Sequence, residues 1–275
     1  MKQILTPLRF AAVIFTVAAV GQGVRSAAAR APQAQQPQQP APRVVDLKAG
    51  DGTILRASYF AAAKPGPAVL LLHQSNRTRK AWDELAGRLA AVGINTLTLD
   101  MRGFGESGTP YTKLTDAERA KVRPMWPSDV ETAFQYLVSQ PGVKRDVIGV
   151  GGAGWFGVLH SVEVARQHSA EVKSLVLLSR ETLQDGLQFL RQASQLPGLF
   201  VAADDDEYPP TVEPMEWLYI NSSSPGKKFV HYSAAQDAPW IWYETMPAKF
   251  PPTAATELTC SSPIPSCPAS SWIGL

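Results

Sequence analysis

The sequence predicts an α/β domain with a mostly parallel sheet and helices on both faces. Short, uninterrupted apolar runs such as residues 68–72 are typical of strands that are covered on both faces. From residue 68 onward, such runs alternate with segments whose apolar residues recur at helical spacing. Two alternating runs around Gly50-Asp51-Gly52 predict an antiparallel hairpin at the start of the domain.

Each element follows from a local pattern. Residues 44–47 and 53–60 form the predicted hairpin, and residues 82–92 form a helix that ends at Gly93. Ser128, with Glu131 three positions later, predicts a helix that begins with a capping box. The other predicted strands span residues 68–72, 94–99, 147–150, 172–178, 199–203 and 227–232, and the other helices span residues 156–167, 182–194 and 212–220.

Composition excludes several classes of protein. The 275 residues are 45% hydrophobic, which suits one domain with a substantial core and an N-terminal extension. Lys and Arg number 26 against 24 Asp and Glu, and no basic stripe contains interleaved aromatic residues. A nucleic-acid partner is therefore not expected. The oligomeric state is not readable from the sequence.

The first 29 residues are expected to be an export signal. Lys2 and Arg9 precede an apolar run over residues 10–20, and three alanines at residues 27–29 offer a cleavage site. The run is shorter than the roughly 20 residues that span a bilayer, so no membrane association is expected after cleavage. The protein is then periplasmic or secreted. Residues 30–43 are predicted to be a disordered Ala/Gln/Pro-rich linker, residues 44–250 the folded domain, and residues 251–275 an irregular tail.

Few residues are suited to bind a metal. The two cysteines, Cys260 and Cys267, both lie in the Ser/Pro-rich tail. They are too few for a metal site, although a disulfide would be chemically permitted in an exported protein. The glycines at residues 151–157 lack the spacing of a dinucleotide-binding loop, so no cofactor is expected.

The most informative segment is a predicted strand–turn–helix at residues 146–160. The turn reads Gly152-Ala153-Gly154-Trp155-Phe156, and it has the form of a nucleophile elbow. In such a turn the middle residue carries the attacking oxygen or sulfur. Here that residue is Gly154, which has no side chain.

The order of elements and three further motifs resemble the α/β-hydrolase superfamily, and within it the dienelactone-hydrolase-like esterases, over residues 44–232. The resemblance implies a serine hydrolase of esters or lactones by ancestry, with a small ester or carboxylate as ligand. It implies an oxyanion hole formed by two backbone N–H groups. One belongs to Gln74, after the third strand, and the other to Trp155, directly after the nucleophile position. After the seventh strand, it implies that Asp205 is the triad acid, with Asp206 as the alternative. The other interpretation is that this segment is a solvated acidic loop without a catalytic role.

The other motifs are interpreted as structural. His73 is expected to buttress its own loop, because the catalytic base of such hydrolases lies elsewhere. The segment from residue 100 to residue 108 resembles the Asp-x-Arg-Gly-x-Gly-x-Ser loop of this superfamily. Asp100 and Arg102 are expected to form a structural pair there, rather than to act as catalysts.

Two members of the triad are missing from the expected positions. Gly154 replaces the nucleophile, and the loop that follows the last strand contains no histidine, since the four histidines are His73, His160, His168 and His231. No closing helix is readable after that strand. The chain is therefore predicted to be inactive as an esterase.

A frameshift near Phe250 would explain the C-terminal departure. With GC-leaning codons chosen for residue 255 onward and read one base earlier, the tail encodes Gly-His-Gly followed by the apolar start of a helix. Part of the shifted sequence does not depend on the choice of codons, since Trp272 followed by Ile273 forces an aspartate in that frame. The rival interpretations are a pseudoenzyme that binds ligand without turnover and a non-functional product of a damaged gene. Sequencing the gene across residues 250–275 distinguishes a slip from an intact reading frame.

Overall fold

The computed structural model describes residues 41–180, 182–208 and 210–233. The predicted signal, most of the linker, the loop after the last strand, the tail and both cysteines lie outside these residues. Within the described part, strands and helices alternate as the sequence predicts.

Eight strands form one sheet in the order β1-β2-β4-β3-β5-β6-β7-β8. The predicted hairpin is confirmed: β1 and β2 pair antiparallel, with Leu47 opposite Leu55. β2 is also antiparallel to β4, whereas all the other neighbouring strands pair parallel. The predicted fold class is therefore confirmed. The strands are β1 (Arg43–Lys48), β2 (Ile54–Phe60), β3 (Gly66–Leu72), β4 (Asn95–Leu99), β5 (Val143–Ala153), β6 (Val172–Leu178), β7 (Gly198–Ala203) and β8 (Lys228–Tyr232).

Alternate residues of the strands face two separate apolar layers. Leu70 and Leu72 of β3 lie in the larger cluster, with side chains of the helices that follow β4, β5, β6 and β7. Leu71 faces the other side, where it joins Trp82 and partly buried residues of the first helix. Helices therefore cover both faces, as expected for a parallel sheet. The α-helices are α1 (Asp83–Ala91), α2 (Asp116–Val122), α3 (Trp126–Ser139), α4 (Gly154–Gln167), α5 (Gln184–Gln192) and α6 (Val212–Asn221).

The predicted capping box at Ser128 is wrong. Helix α3 begins at Trp126, and Pro127 suits its first turn. The N–H groups of the first turn have no acceptor within the helix, so a residue without an N–H fits there, and the fixed φ of proline is already helical. Ser128 lies inside the helix, and its Oγ donates back to the carbonyl of Met125 at 2.8 Å. The capping box forms instead at Thr115, where Thr115 N–H donates to Glu118 at 2.8 Å and begins the unpredicted helix α2.

Strand β5 begins four residues before its predicted start. Its first residues include Lys144, Arg145 and Asp146, which are exposed, whereas Ile148 and Val150 are buried. The charged start of β5 lies beyond the part of the sheet that helices cover, so it lacks the apolar run that predicts a buried strand.

Candidate active site

Residue 154 lies at a sharp turn between β5 and α4. Ala153 ends the strand in an extended conformation, and Gly154 begins the helix with a φ of +64°, in the left-handed region that side chains disfavour. The turn is tightly packed: a Cβ on Gly152 would lie 2.1 Å from the carbonyl oxygen of Gly157, and one on Gly157 would lie 2.6 Å from that of Leu72. The sequence therefore builds a sharp, tightly packed strand–turn–helix at the predicted place.

Gln74 occupies the space beside Gly154. A Cβ on residue 154 would lie 2.6 Å from Cγ of Gln74 and 2.9 Å from its Cδ. Any side chain at residue 154 therefore requires the Gln74 side chain to move. The sequence predicted a role only for the backbone of Gln74, because no local pattern reveals which side chain fills the space beside a neighbouring residue.

Two backbone amides at this turn have no hydrogen-bond acceptor among the described residues. They belong to Gln74, after β3, and to Trp155, in the first turn of α4. β3 and β5 are paired neighbours, with Leu72 opposite Gly152, so the two segments leave the same edge of the sheet side by side. Paired N–H groups at a helix start suit an oxygen that carries negative charge.

His73 is bound to its own surroundings through both ring nitrogens. Its Nδ1 lies 2.7 Å from the carbonyl oxygen of Gln74, and its Nε2 lies 3.1 Å from the backbone nitrogen of Met101. With the proton on Nδ1, the ring donates to Gln74 and accepts from Met101. Burial lowers the pKa of His73, so the ring is neutral. His73 thus holds the loop that carries Gln74.

The acidic loop after β7 divides its carboxylates between different partners. Asp206 lines the cavity at the turn, and it accepts the backbone N–H of Tyr208 at 3.0 Å. Asp205, the acid preferred from the sequence, is half-buried and is not among the residues that line the cavity. Asp204 lies 2.6 Å from Nε2 of His231. This Asp204–His231 pair was not predicted, and only the pairing of β7 with β8 reveals it.

His231 points away from the cavity. Strand residues alternate between faces, and Val230 and Tyr232 pack against the cluster that contains Ala153, Leu178 and Val201, on the cavity side. His231 therefore lies on the opposite face, beside Phe229.

A cavity of about 470 Å³, including its opening to solvent, lies at the turn. Ala153, Leu178 and Val201 supply apolar walls, and Gln74 and Ser179 are among its polar residues. Ser179 adopts a φ of 61°, a conformation rare outside glycine. Its position follows from the sheet, since Ala153 pairs with Leu178 across β5 and β6.

No model of a protein family matches the sequence. Among solved structures, DcsB in complex with its substrate analogue is similar over 70% of this chain and 90% of its own, with 17% identity and a TM-score of 0.57. The α/β-hydrolase GrgF from Penicillium sp. sh18 shares 16% identity over the same fractions, with a TM-score of 0.56. A dienelactone hydrolase-like promiscuous phosphotriesterase from metagenomic libraries shares 18% identity over 70% of this chain and 82% of its own, with a TM-score of 0.53.

The chain has the α/β-hydrolase fold. In this fold the nucleophile, acid and histidine come from segments that are far apart in sequence and that meet at one edge of the sheet. Gly154 is predicted to hold the first of these positions, and His73 is the one histidine among the described residues that lines the cavity. Because both nitrogens of His73 are hydrogen-bonded to backbone atoms, of Gln74 and of Met101, no imidazole within the described part of the chain is free to act as a base there.

The expected pairing of Asp100 with Arg102 is wrong, because each binds a different partner. Asp100 is buried against Arg79, which approaches it through both its backbone and its guanidinium. Arg102 binds the buried carboxylate of Asp129 at 2.7 Å, and it also binds Asp51. Asp100 and Asp129 each neutralise a buried arginine and hold loops of the α/β-hydrolase fold in place, so neither of these two carboxylates is available for catalysis.

Among residues 41–233 outside the two single-residue gaps, no cluster of three or more His, Cys, Asp or Glu side chains has a geometry that holds a metal ion. In the same part of the chain, no helix has the length and apolarity needed to cross a bilayer.

Proposed function

We propose that this protein is an exported relative of the serine hydrolases of carboxylic esters and lactones, and that it does not hydrolyse esters. The observation that carries this proposal is the turn at Gly154, where the nucleophile position has no side chain and Gln74 fills the space beside it. A serine there would need a nearby imidazole as base. Among the described residues, the only imidazole that lines the cavity is that of His73, whose two nitrogens bind the backbone of Gln74 and of Met101.

A second candidate function is ligand binding without turnover. It is favoured by the two unpartnered amides of Gln74 and Trp155 next to a largely apolar cavity. Such a site suits a small molecule whose carbonyl or carboxylate oxygen accepts these N–H groups. The two proposals are compatible, because loss of the attacking oxygen leaves the binding surface in place.

The turnover of p-nitrophenyl acetate tests the first proposal. We expect the unmodified chain to match buffer, and we expect the variants Gly154→Ser and Gly154→Ser/Gln74→Ala to do the same, since neither supplies a base. Activity is expected only when Gly154→Ser is combined with a C-terminus that carries the Gly-His-Gly segment of the shifted frame. Restored activity then amounts to at least about a hundredfold over the single variant.

Matched controls make this result interpretable. Each variant is first checked for an unchanged circular dichroism spectrum, and each is treated with a fluorophosphonate that labels activated serines. Turnover well above buffer by the unmodified chain, together with labelling of a serine, would contradict the assignment of residue 154.

Export is tested by the mass of the mature N-terminus. Expressed with its first 29 residues in a bacterium that exports by the general secretory route, the chain is expected in the periplasm or medium, beginning near residue 30. Retention of Met1 in a cytoplasmic product would refute this part of the proposal.

A further inference from the structure

Side chains of the loops that follow β3 and β7 bind one another. Nη2 of Arg77 donates to Oε2 of the Glu207 carboxylate at 2.9 Å, and Nδ2 of Asn76 donates to the same oxygen at 3.1 Å. Nδ2 of Asn76 also lies 3.3 Å from the hydroxyl oxygen of Tyr208. One carboxylate oxygen of the loop after β7 therefore receives a guanidinium N–H and an amide N–H from the loop after β3.

The order of the strands places this bridge at the mouth of the cavity. In the sheet, β5 and β6 lie between β3 and β7, so the loops after β3 and β7 meet over the carboxyl ends of β5 and β6. Ala153 and Ser179, at those two ends, line the cavity, and so do Arg77 and Asp206, one from each of the bridged loops. A molecule that fills the cavity therefore comes next to the bridge between Arg77 and Glu207.

The bridge is open to solvent and is therefore weak. The side chains of Arg77 and Glu207 are 32% and 38% exposed. An ion pair with this exposure contributes little to stability, because water competes for both groups and two long side chains lose conformational freedom. Each of residues 204–208 is exposed or half-buried, so little apolar burial holds the Glu207 carboxylate where it lies. A second carboxylate can therefore displace it at a small cost.

We propose that Asn76 and Arg77 form a carboxylate-binding subsite at the mouth of the cavity, and that Glu207 occupies this subsite when no ligand is bound. The ligand is a small carboxylic acid with a short apolar chain. Its carboxylate replaces that of Glu207 on the two donors, and its chain packs against Leu178 and Val201 in the cavity. This proposal rests on the proposed ligand-binding function and adds the group that orients the ligand.

The charge of Arg77 selects an anionic group on the ligand. When Glu207 is displaced, an amide or ester leaves the guanidinium without its carboxylate, whereas a carboxylate restores the charge-assisted hydrogen bond. A second carboxylate on the ligand would bring negative charge toward Asp206, which lines the same cavity. The walls contributed by Ala153 and Leu178 are apolar and suit a hydrocarbon chain. These features together favour a monocarboxylate.

Three probes test the proposal on the unmodified chain: butyrate, butyramide and acetate. Butyramide has the shape of butyrate without its charge, and acetate has the charge without the longer chain. Saturation-transfer NMR from the protein to the methyl group of each probe, at about pH 7 where the acids are ionised, gives the Kd. We expect butyrate to bind at least about tenfold more tightly than butyramide, because only butyrate makes charge-assisted hydrogen bonds. We also expect it to bind about tenfold more tightly than acetate, because two further CH2 groups are buried.

Variants of the bridge distinguish a subsite from a structural contact. Glu207→Gln keeps the shape of the side chain and removes the competing charge, so it is expected to tighten butyrate binding about three- to fivefold; a merely structural contact predicts no tightening. Arg77→Gln is expected to weaken butyrate binding about tenfold and to leave butyramide binding unchanged. Arg145→Gln and Glu171→Gln are matched controls, from an ion pair of 3.5 Å at the amino ends of β5 and β6, and are expected to change neither affinity.

Three outcomes would overturn the inference. Equal binding of butyrate and butyramide would exclude a subsite for a carboxylate. Butyrate binding that changes in neither Arg77→Gln nor Glu207→Gln would place the carboxylate on the N–H groups of Gln74 and Trp155, which refutes the subsite and leaves the ligand-binding function intact. The lack of saturable binding by any probe refutes both. The ester assay is independent, because turnover together with butyrate binding that depends on Arg77 refutes only the proposed loss of catalysis.

Discussion

Replacing Arg79 with alanine is expected to lower the free energy of unfolding by about 3–5 kcal/mol, because it leaves a buried carboxylate without its counter-charge. The side chains of Arg79 and Asp100 are 3% and 0% exposed and form an ion pair. Arg79 also donates through Nε to Ser58 at 3.0 Å and through its second terminal nitrogen to Glu106 at 2.9 Å. Urea titration followed by circular dichroism measures the change.

Lys80 provides a matched control for this prediction. It follows Arg79 in the same short helical turn, and it also lies near Glu106, at 3.5 Å, but its side chain is 63% exposed. Lys80→Ala is expected to cost less than about 1 kcal/mol. The double variant Arg79→Ala/Asp100→Asn is expected to be more stable than Arg79→Ala, because it removes the unpaired charge. Equal losses for Arg79→Ala and Lys80→Ala would show that burial of the pair has no energetic consequence.

Acidification from about pH 8 to about pH 5 is expected to cost about 2 kcal/mol of stability through His160 alone. Burial lowers the pKa of His160 from 6.5 to about 4. Its ring packs between Trp126 and Phe156, and its Nε2 has no partner among the described residues. Burial therefore outweighs the nearby Glu163 carboxylate, which favours the charged form. The unfolded chain takes up this proton near pH 6.5, whereas the folded chain takes it up only near pH 4. Stability is therefore complete above pH 6.5 and falls as the pH drops toward 4.

The variant His160→Leu isolates this contribution. It keeps an apolar side chain of similar size and removes the titrating group, so its stability is expected to fall by about 2 kcal/mol less over the same pH interval. Ser161→Ala, at the adjacent buried residue, is expected to keep the original pH dependence. Burial also lowers the pKa of His73, so a shallower dependence remains in the variant. Identical pH profiles for His160→Leu and the parent chain would refute the prediction.

How well the sequence predicted each strand or helix depended on how much of that element is buried. Strand β3 and strand β6 were located within two residues, because both are central and apolar along their covered lengths. The start of β5 was missed, because its charged residues extend past the covered region. Helix α2 was missed since it contains no buried residue, and its spacing therefore leaves no apolar stripe to detect.

In the candidate site, too, features set by neighbouring residues were predictable, whereas side-chain directions were not. The turn at Gly154 was predictable, because a strand that ends in small residues and passes directly into a helix is a local pattern. The choice of Asp205 rested on resemblance, and the structure adds that Asp206 lines the cavity while Asp204 binds His231. Neighbouring aspartates in one loop differ only in where the backbone points them, and spacing along the chain carries no information about that direction.

By itself, the sequence determined the alternation of strands and helices, the hairpin at the start and the glycine turn between β5 and α4. All three depend on residues that are close together along the chain. Only the tertiary structure decided that Arg79 rather than Arg102 neutralises Asp100, that Gln74 fills the space beside Gly154, and that the loops after β3 and β7 meet over one cavity. The physical reason is that ion pairing, steric exclusion and hydrogen bonding act over a few ångströms in space, between residues that the chain brings together only when the sheet has formed.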